Sequence, residues 1–152
     1  MKKLIPLLIA LFSMSSGRSQ EKPTTMETVT TYYFIRHAEK DRSNPSDKNP
    51  QLVPEGQKRA LKWAEVLKEA NIKAVYSTNY TRTQETAQPT ASQNGLKVDI
   101  YDPYTINFKE LKEKYNGGSV LIVGHSNTTP MLVNKLLGIE KHREIDDAER
   151  VA

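Results

Sequence analysis

Four residues of this 152-residue chain carry side chains suited to handling a phosphoryl group: Arg36, His37, Arg82 and His125. A phosphoryl group in transfer spreads negative charge over three equatorial oxygens, so catalysing its transfer is mostly positioning and charge stabilisation. The planar fork of arginine donates two parallel hydrogen bonds to such oxygens. A neutral imidazole is a competent nucleophile, and its phosphorylated form is a good leaving group toward water. Two histidines and two arginines held together suffice for a double displacement without metal. Metal ligation is the competing reading. It finds little support, because the third histidine, His142, and the carboxylates do not fall at ligand spacing. No metal and no organic cofactor is expected.

The elements that must position these residues are legible from periodicity. Residues 28–35 alternate and are rich in β-branched and aromatic side chains, which predicts a strand ending at Arg36-His37. A turn-rich loop through Ser43, Asn44, Pro45, Asp47, Asn49 and Pro50 follows. Residues 55–70 are helical in pattern, with Ala60, Trp63, Ala64 and Leu67 on one stripe. Residues 74–77 form a short apolar strand. Thr81-Arg82-Thr83-Gln84 has the form of a capping box, so a helix should start with Thr81 as N-cap and run to Asn94. Gly95 would supply its left-handed end, and Pro89 should kink or split it. Residues 96–101 are a strand candidate, 107–115 a helix, and Gly117-Gly118 a turn. Val120 to Val123 is a continuous apolar run, as in a strand buried on both faces. Thr129-Pro130 would cap and open a last helix with Leu132, Val133, Leu136 and Leu137 on its apolar face.

This alternation predicts a three-layer α/β/α sandwich around a mostly parallel sheet. Ligands of such sheets sit at the carboxyl ends of the strands. That rule selects Arg36-His37, Ser77 to Arg82 and Gly124 to Asn127, all carrying groups that bind phosphate. Two helix N-termini, near Arg82 and Thr129, would add free N–H groups and partial positive charge.

Composition fits a single globular domain, with 37% apolar and 26% charged residues. The net charge of +4 does not argue for nucleic acid. Lys2, Lys3 and Arg18 lie in a segment expected to be removed, and the rest is nearly neutral, with basic and acidic residues interleaved. That segment has a basic start, a nine-residue apolar stretch from Leu4 to Phe12 and small residues before Gln20. It reads as a secretory signal peptide over residues 1–19, too short to span a bilayer. A polar lead-in over 20–28 and one domain over 29–152 complete the expected organisation. The expected location is therefore the periplasm or outside the cell, with no stable membrane insertion. The chain has no cysteine, so neither a disulfide nor a lipidated cysteine is possible.

Four segments resemble the histidine phosphatase superfamily, which has the phosphoglycerate mutase-like fold. Phe34-Ile35-Arg36-His37-Ala38-Glu39 is similar to its Arg-His signature, and Leu52 to Gln57 with Ala60 to its Leu-Thr-x-x-Gly-x-x-Ala segment. The stretch from Tyr76-Ser77-Thr78 through Arg82 to Thr86-Ala87 resembles its Ser-x-x-x-Arg-x-x-x-Thr-Ala element. Val120 to Asn127 resembles its second histidine motif. The order along the chain matches, over roughly residues 30–137.

The resemblance implies that His37 is the nucleophile and that Arg36, Arg82 and His125 hold the phosphoryl oxygens, with Asn127 and Ser43 at the rim. The family's proton-donating carboxylate has no motif here. Asp102 is the preferred candidate, with Glu110 and Glu39 as alternatives. Short spacings between the motifs leave little room for a roof, so the site should be shallow and open, as in the compact branch that includes phosphohistidine phosphatases. The function implied is a metal-independent phosphatase acting on phosphomonoesters or phosphohistidine. A non-catalytic phosphoryl-binding module and a mutase-like phosphotransferase are the alternatives. The charged tail from Ile145 offers no further strand.

Overall fold

Elementary pairing rules account for the sheet. The computed structural model describes residues 28–146; the expected signal segment, nearly all of the lead-in and the end of the tail lie outside them. In chain order the elements are β1 (Thr31–Arg36), α1 (Pro54–Val66), β2 (Ile72–Ser77), α2 (Thr81–Gln93), β3 (Val98–Ile100), α3 (Phe108–Lys114), β4 (Ser119–Gly124) and α4 (Thr128–Leu137). The four strands form one sheet in the order β1-β4-β2-β3, with every neighbouring pair parallel. Parallel neighbours need crossover connections, and each crossover here contains a helix.

The central strand β4 is buried at all six residues, as its unbroken apolar run requires. Its side chains divide between two cores. Leu121 and Val123 join Ile35, Ile72, Val75 and Leu67 with Ala87 and Ala91 of α2, and Trp63 of α1 packs against them. Val120 and Ile122 join Ala74, Tyr101, Leu111 and Leu132 on the other face, beneath α3 and α4. Three layers result, α1 and α2 on one side and α3 and α4 on the other. A register shift between Ile72 and Ala74 lets Ile72 and Val75 face the same core.

The chain leaves β1 toward the face bearing α1 and leaves β4 toward the face bearing α4. This divergence opens a crevice at the carboxyl ends of adjacent strands, the usual place for a ligand in such sheets.

Element ends differ from expectation where tertiary partners intervene. β1 starts at Thr31 because its partner strand starts at Ser119. β2 begins two residues early, at Ile72, and α1 stops at Val66. The capping box at Thr81 does not form: Tyr80 is the N-cap, and the Thr81 N–H is taken by Asn49 Oδ1 from the preceding loop at 2.8 Å. Pro89 lies within a continuous α2, which neither stops nor splits there. α4 begins at Thr128, with Asn127 and not Thr129 as its N-cap. Leu132 is fully buried, but Leu136 and Leu137 are exposed. α4 covers β1, an edge strand, and Leu136 lies beside Thr28, Val29 and Tyr32 where the sheet ends.

Candidate active site

The end of β1 delivers His37. Its N–H bonds the Gly124 carbonyl at 2.9 Å, extending the β1–β4 ladder one residue past the strand. The ring is buried, and Nδ1 lies 2.8 Å from the carbonyl oxygen of Ala38. A carbonyl only accepts, so Nδ1 carries the hydrogen and Nε2 keeps its lone pair. The following residues are clamped: Ala38 N–H donates to Thr86 Oγ1 (2.9 Å), which itself donates to the Arg82 carbonyl (2.7 Å). Ala38 packs with Leu52 and Ala60 in a small third core. Gly56 is required there because a Cβ would strike the Glu39 backbone oxygen. The Leu52–Gly56–Ala60 spacing thus shapes the bed beneath the His37 loop.

The end of β4 delivers His125. Its N–H donates to Thr128 Oγ1 (3.1 Å), and its carbonyl accepts from Thr129 N–H (2.9 Å). The His37 and His125 rings meet edge to face, 5.5 Å between centroids. His125 Nδ1 lies 3.4 Å from Arg82 Nη2, and its Nε2 lies 2.9 Å from Thr78 Oγ1. The Arg82 guanidinium sits over the Tyr80 ring at 4.5 Å, and Tyr80 meets His125 edge to face at 4.9 Å. Such cation–π contact restrains a long side chain. Arg36 Nη1 donates to the Asp146 carbonyl (3.0 Å), while Ile145 N–H bonds Ser126. The tail therefore runs beside the ends of β1 and β4.

Burial disfavours charge on both rings. His37 is lowered to about 4, chiefly by burial, against the opposing Ala38 bond and with Arg82, Lys40 and Arg36 adding to the lowering. His125 is also lowered to about 4, by burial first and then by Arg82, His37 and Lys40. Both imidazoles are neutral near neutral pH. A neutral nucleophile beside permanent cations is the electrostatic arrangement that an incoming phosphate requires.

The structure brings Arg82, His37 and His125 together, with Arg36 adjoining His37. The rim candidates are otherwise engaged. Asn127 turns its side chain back to the Thr128 N–H, and exposed Ser43 donates to Asp41 within a turn. Of the acid candidates, Glu39 accepts from Arg59 Nε at 2.7 Å, and Glu110 accepts from Asn107 in the first turn of α3. Asp102 accepts from the Tyr104 N–H in an exposed loop. It follows β3, three strand spacings from β1 or about 14 Å across the sheet. The helix N-termini also contribute less than expected. Asn49 occupies the Thr81 N–H, and the first N–H groups of α4 bond Asn127 and His125.

The sequence profile of the histidine phosphatase superfamily (branch 1) matches residues 32–103, which include Arg36, His37 and Arg82. With His125 brought against Arg82 by the fold, the pattern is complete. Over residues 32–103 the chain is similar to the histidine phosphatase superfamily. No curated protein sequence matches it significantly. Among solved structures, SixA from Agrobacterium tumefaciens is 20% identical, with 70% of this chain and 76% of that chain covered and a TM-score of 0.54. The protein histidine phosphatase SixA complexed with tungstate is 19% identical, covers 69% and 75%, and has a TM-score of 0.60. A phosphoserine phosphatase of Entamoeba histolytica, a His-to-Ala mutant holding phosphoserine, is 15% identical, covers 74% and 82%, and has a TM-score of 0.59. At these identities the likeness establishes the fold.

Four residues of this site had no role assigned from the sequence: Tyr80, Thr78, Thr83 and Thr86. Thr78, Thr83 and Thr86 are buried and hydrogen-bonded into the site. Their signal was their place inside the segment from Ser77 to Ala87 that carries Arg82.

Proposed function

We propose that this chain is a metal-independent phosphatase that hydrolyses phosphomonoesters, or phosphohistidine, through a phosphoryl intermediate on His37. The observation that carries the reading is the Nδ1 bond of His37 to Ala38, which leaves the Nε2 lone pair for phosphorus beside Arg82 and His125. Arg36 and Arg82 neutralise the phosphoryl oxygens, and Arg36 exchanges its bond to the Asp146 carbonyl for one to substrate. His37 Nε2 attacks in line, the alcohol departs, and water then takes the phosphoryl group from the imidazole. Two guanidinium forks supply the charge that a metal would otherwise supply. The phosphoryl ligands named for the solved relatives, phosphoserine and the phosphate mimic tungstate, support a phosphorylated small molecule or side chain as substrate. Export by the N-terminal segment favours small esters over cytoplasmic phosphoproteins.

Hydrolysis of p-nitrophenyl phosphate by the purified protein in EDTA, with His37→Ala alongside, tests this. Turnover that survives EDTA and disappears in the mutant supports the reading. Phosphate binding without turnover would make the chain a binding module, and turnover unaffected by the mutation would remove His37 from the reaction. Cell fractionation with mass determination of the N-terminus tests export; an uncleaved protein in the cytoplasm would contradict it.

A further inference from the structure

We propose that Thr78 and Thr83 are positioning residues that fix the tautomer of His125 and so make the singly ionised phosphomonoester, which still carries a P–OH, the form that the site accepts. The proposal rests on the phosphatase reading above and adds the ionic form of its substrate.

The argument is a count of hydrogens. Thr83 Oγ1 owns one, and it lies 2.8 Å from the Tyr80 carbonyl and 3.0 Å from the Thr78 carbonyl. Carbonyls only accept, so the Thr83 hydrogen is committed to them and its oxygen can only accept from a third partner. That partner is Thr78 Oγ1, at 3.0 Å. The Thr78 hydrogen is therefore committed in turn, and its oxygen accepts from the group 2.9 Å away, His125 Nε2. Nε2 must carry a hydrogen. In a neutral imidazole the lone pair then falls on Nδ1, which lies 3.4 Å from Arg82 Nη2, a group that only donates. Both ends of the ring thus select the same tautomer. The other one would set two donors against each other at Arg82. Thr83 is fully buried and Thr78 nearly so, leaving little room for water to rewrite the chain.

The groups facing His125 come from every neighbouring element: Arg82 from α2, Tyr80 and Thr78 from the end of β2, His37 from β1 and Lys40 from the loop beyond. Among the described residues that face it, none is a carboxylate that would favour a second proton on the ring. A fully ionised phosphoryl oxygen reaching Nδ1 would meet a lone pair. A P–OH would donate to it, with Arg82 Nη2 turning from Nδ1 to another phosphoryl oxygen. In the transfer step the His37 Nε2 lone pair forms the N–P bond and the P–OR bond breaks, its electron pair going to the leaving oxygen. The proton brought as P–OH neutralises that oxygen, so the alcohol leaves uncharged and atoms and charge balance. A carboxylic acid at the leaving group is then unnecessary, consistent with Glu39, Asp102 and Glu110 all bonding elsewhere.

The test has two arms. In histidine-labelled protein without substrate, nitrogen NMR above pH 6 should show His125 as the Nε2–H form. Thr78→Val should convert it partly or wholly to Nδ1–H, and Thr78→Ser should retain Nε2–H. A wild-type Nδ1–H form overturns the proposal whatever the variants do. In the second arm, kcat/KM is followed against pH for an alkyl phosphate and for p-nitrophenyl phosphate, whose second ionisation is lower. It should fall tenfold per pH unit above the ester's own second pKa, about 6 for an ordinary monoester, and the limb should move with the ester. A limb at one pH for both esters overturns the substrate claim. A protein that hydrolyses neither ester defeats the phosphatase reading and the substrate claim with it, while the first arm still decides the tautomer.

Discussion

At the residue scale the site is organised by which nitrogen holds a hydrogen. Ala38 fixes His37 with its lone pair on Nε2, and the threonine pair fixes His125 in the opposite sense. Arg82 joins the two, held by the Tyr80 ring on one side and close to His125 Nδ1 on the other. Its planar fork has no substitute in lysine, whose ammonium is a single charge point. Arg82→Lys should therefore fold normally and lose roughly ten- to a hundredfold in kcat/KM, the scale of one charge-assisted hydrogen bond of about 1.5–3 kcal/mol. Steady-state kinetics with circular dichroism of the variant check this; an unchanged kcat/KM would mean that Arg82 does not hold the phosphoryl group.

Two short-range fits at the element scale keep the strand-end loops where the chemistry needs them. α1 approaches the His37 loop so closely at Gly56 that any Cβ meets the Glu39 backbone oxygen. Gly56→Ala should cost about 1–3 kcal/mol, the scale of overpacking, and lower activity by shifting residues 38–40. Urea denaturation and kcat/KM measured together check it, since a loss of stability with unchanged activity would separate Gly56 from the site. Asn49 supplies the side-chain acceptor that the first turn of α2 would otherwise lack. Losing a helix-capping bond costs about 0.5–2 kcal/mol, so Asn49→Ala should lower the unfolding free energy by about 1 kcal/mol. Thr81→Ala should leave it nearly unchanged, because the Thr81 hydroxyl does not form the expected cap. The opposite ranking would restore the local capping box.

The whole molecule is a parallel sheet whose two central strands are covered on both faces, and that part was legible in the sequence. The apolar run of β4 and the buried helical stripe through Ala60 and Ala64 both follow local rules that the fold obeys. The strand-end rule also named the places of His37, Arg82 and His125, which the fold brings together. What local reading missed depends on long-range partners: Asn49 reaching 32 positions to cap α2, and Thr78 contacting a histidine 47 positions away. The exposed Leu136 and Leu137 belong to the same class, since whether a helix face is covered depends on where the sheet ends.

Burial of two neutral histidines also has a consequence for the whole fold. Both fold with pKa values of about 4 against 6.5 when unfolded, so between those limits the unfolded chain binds more protons. The stability associated with them is complete above about pH 6.5 and is lost as pH falls toward about 4. Urea midpoints at pH 7 and pH 4.5 should differ for the wild type and differ less for a His37→Gln, His125→Gln double variant. An equal loss in both would assign the acid sensitivity to other groups.

The central claim is a phosphoryl group on His37, and rapid quenching tests it most directly. Protein mixed with a labelled phosphomonoester, quenched in alkali and digested should yield one phosphopeptide containing His37. That label should be stable to base, labile to acid and absent from His37→Ala. Turnover accompanied by label on another residue, or by an acid-stable phosphoester, would contradict the account.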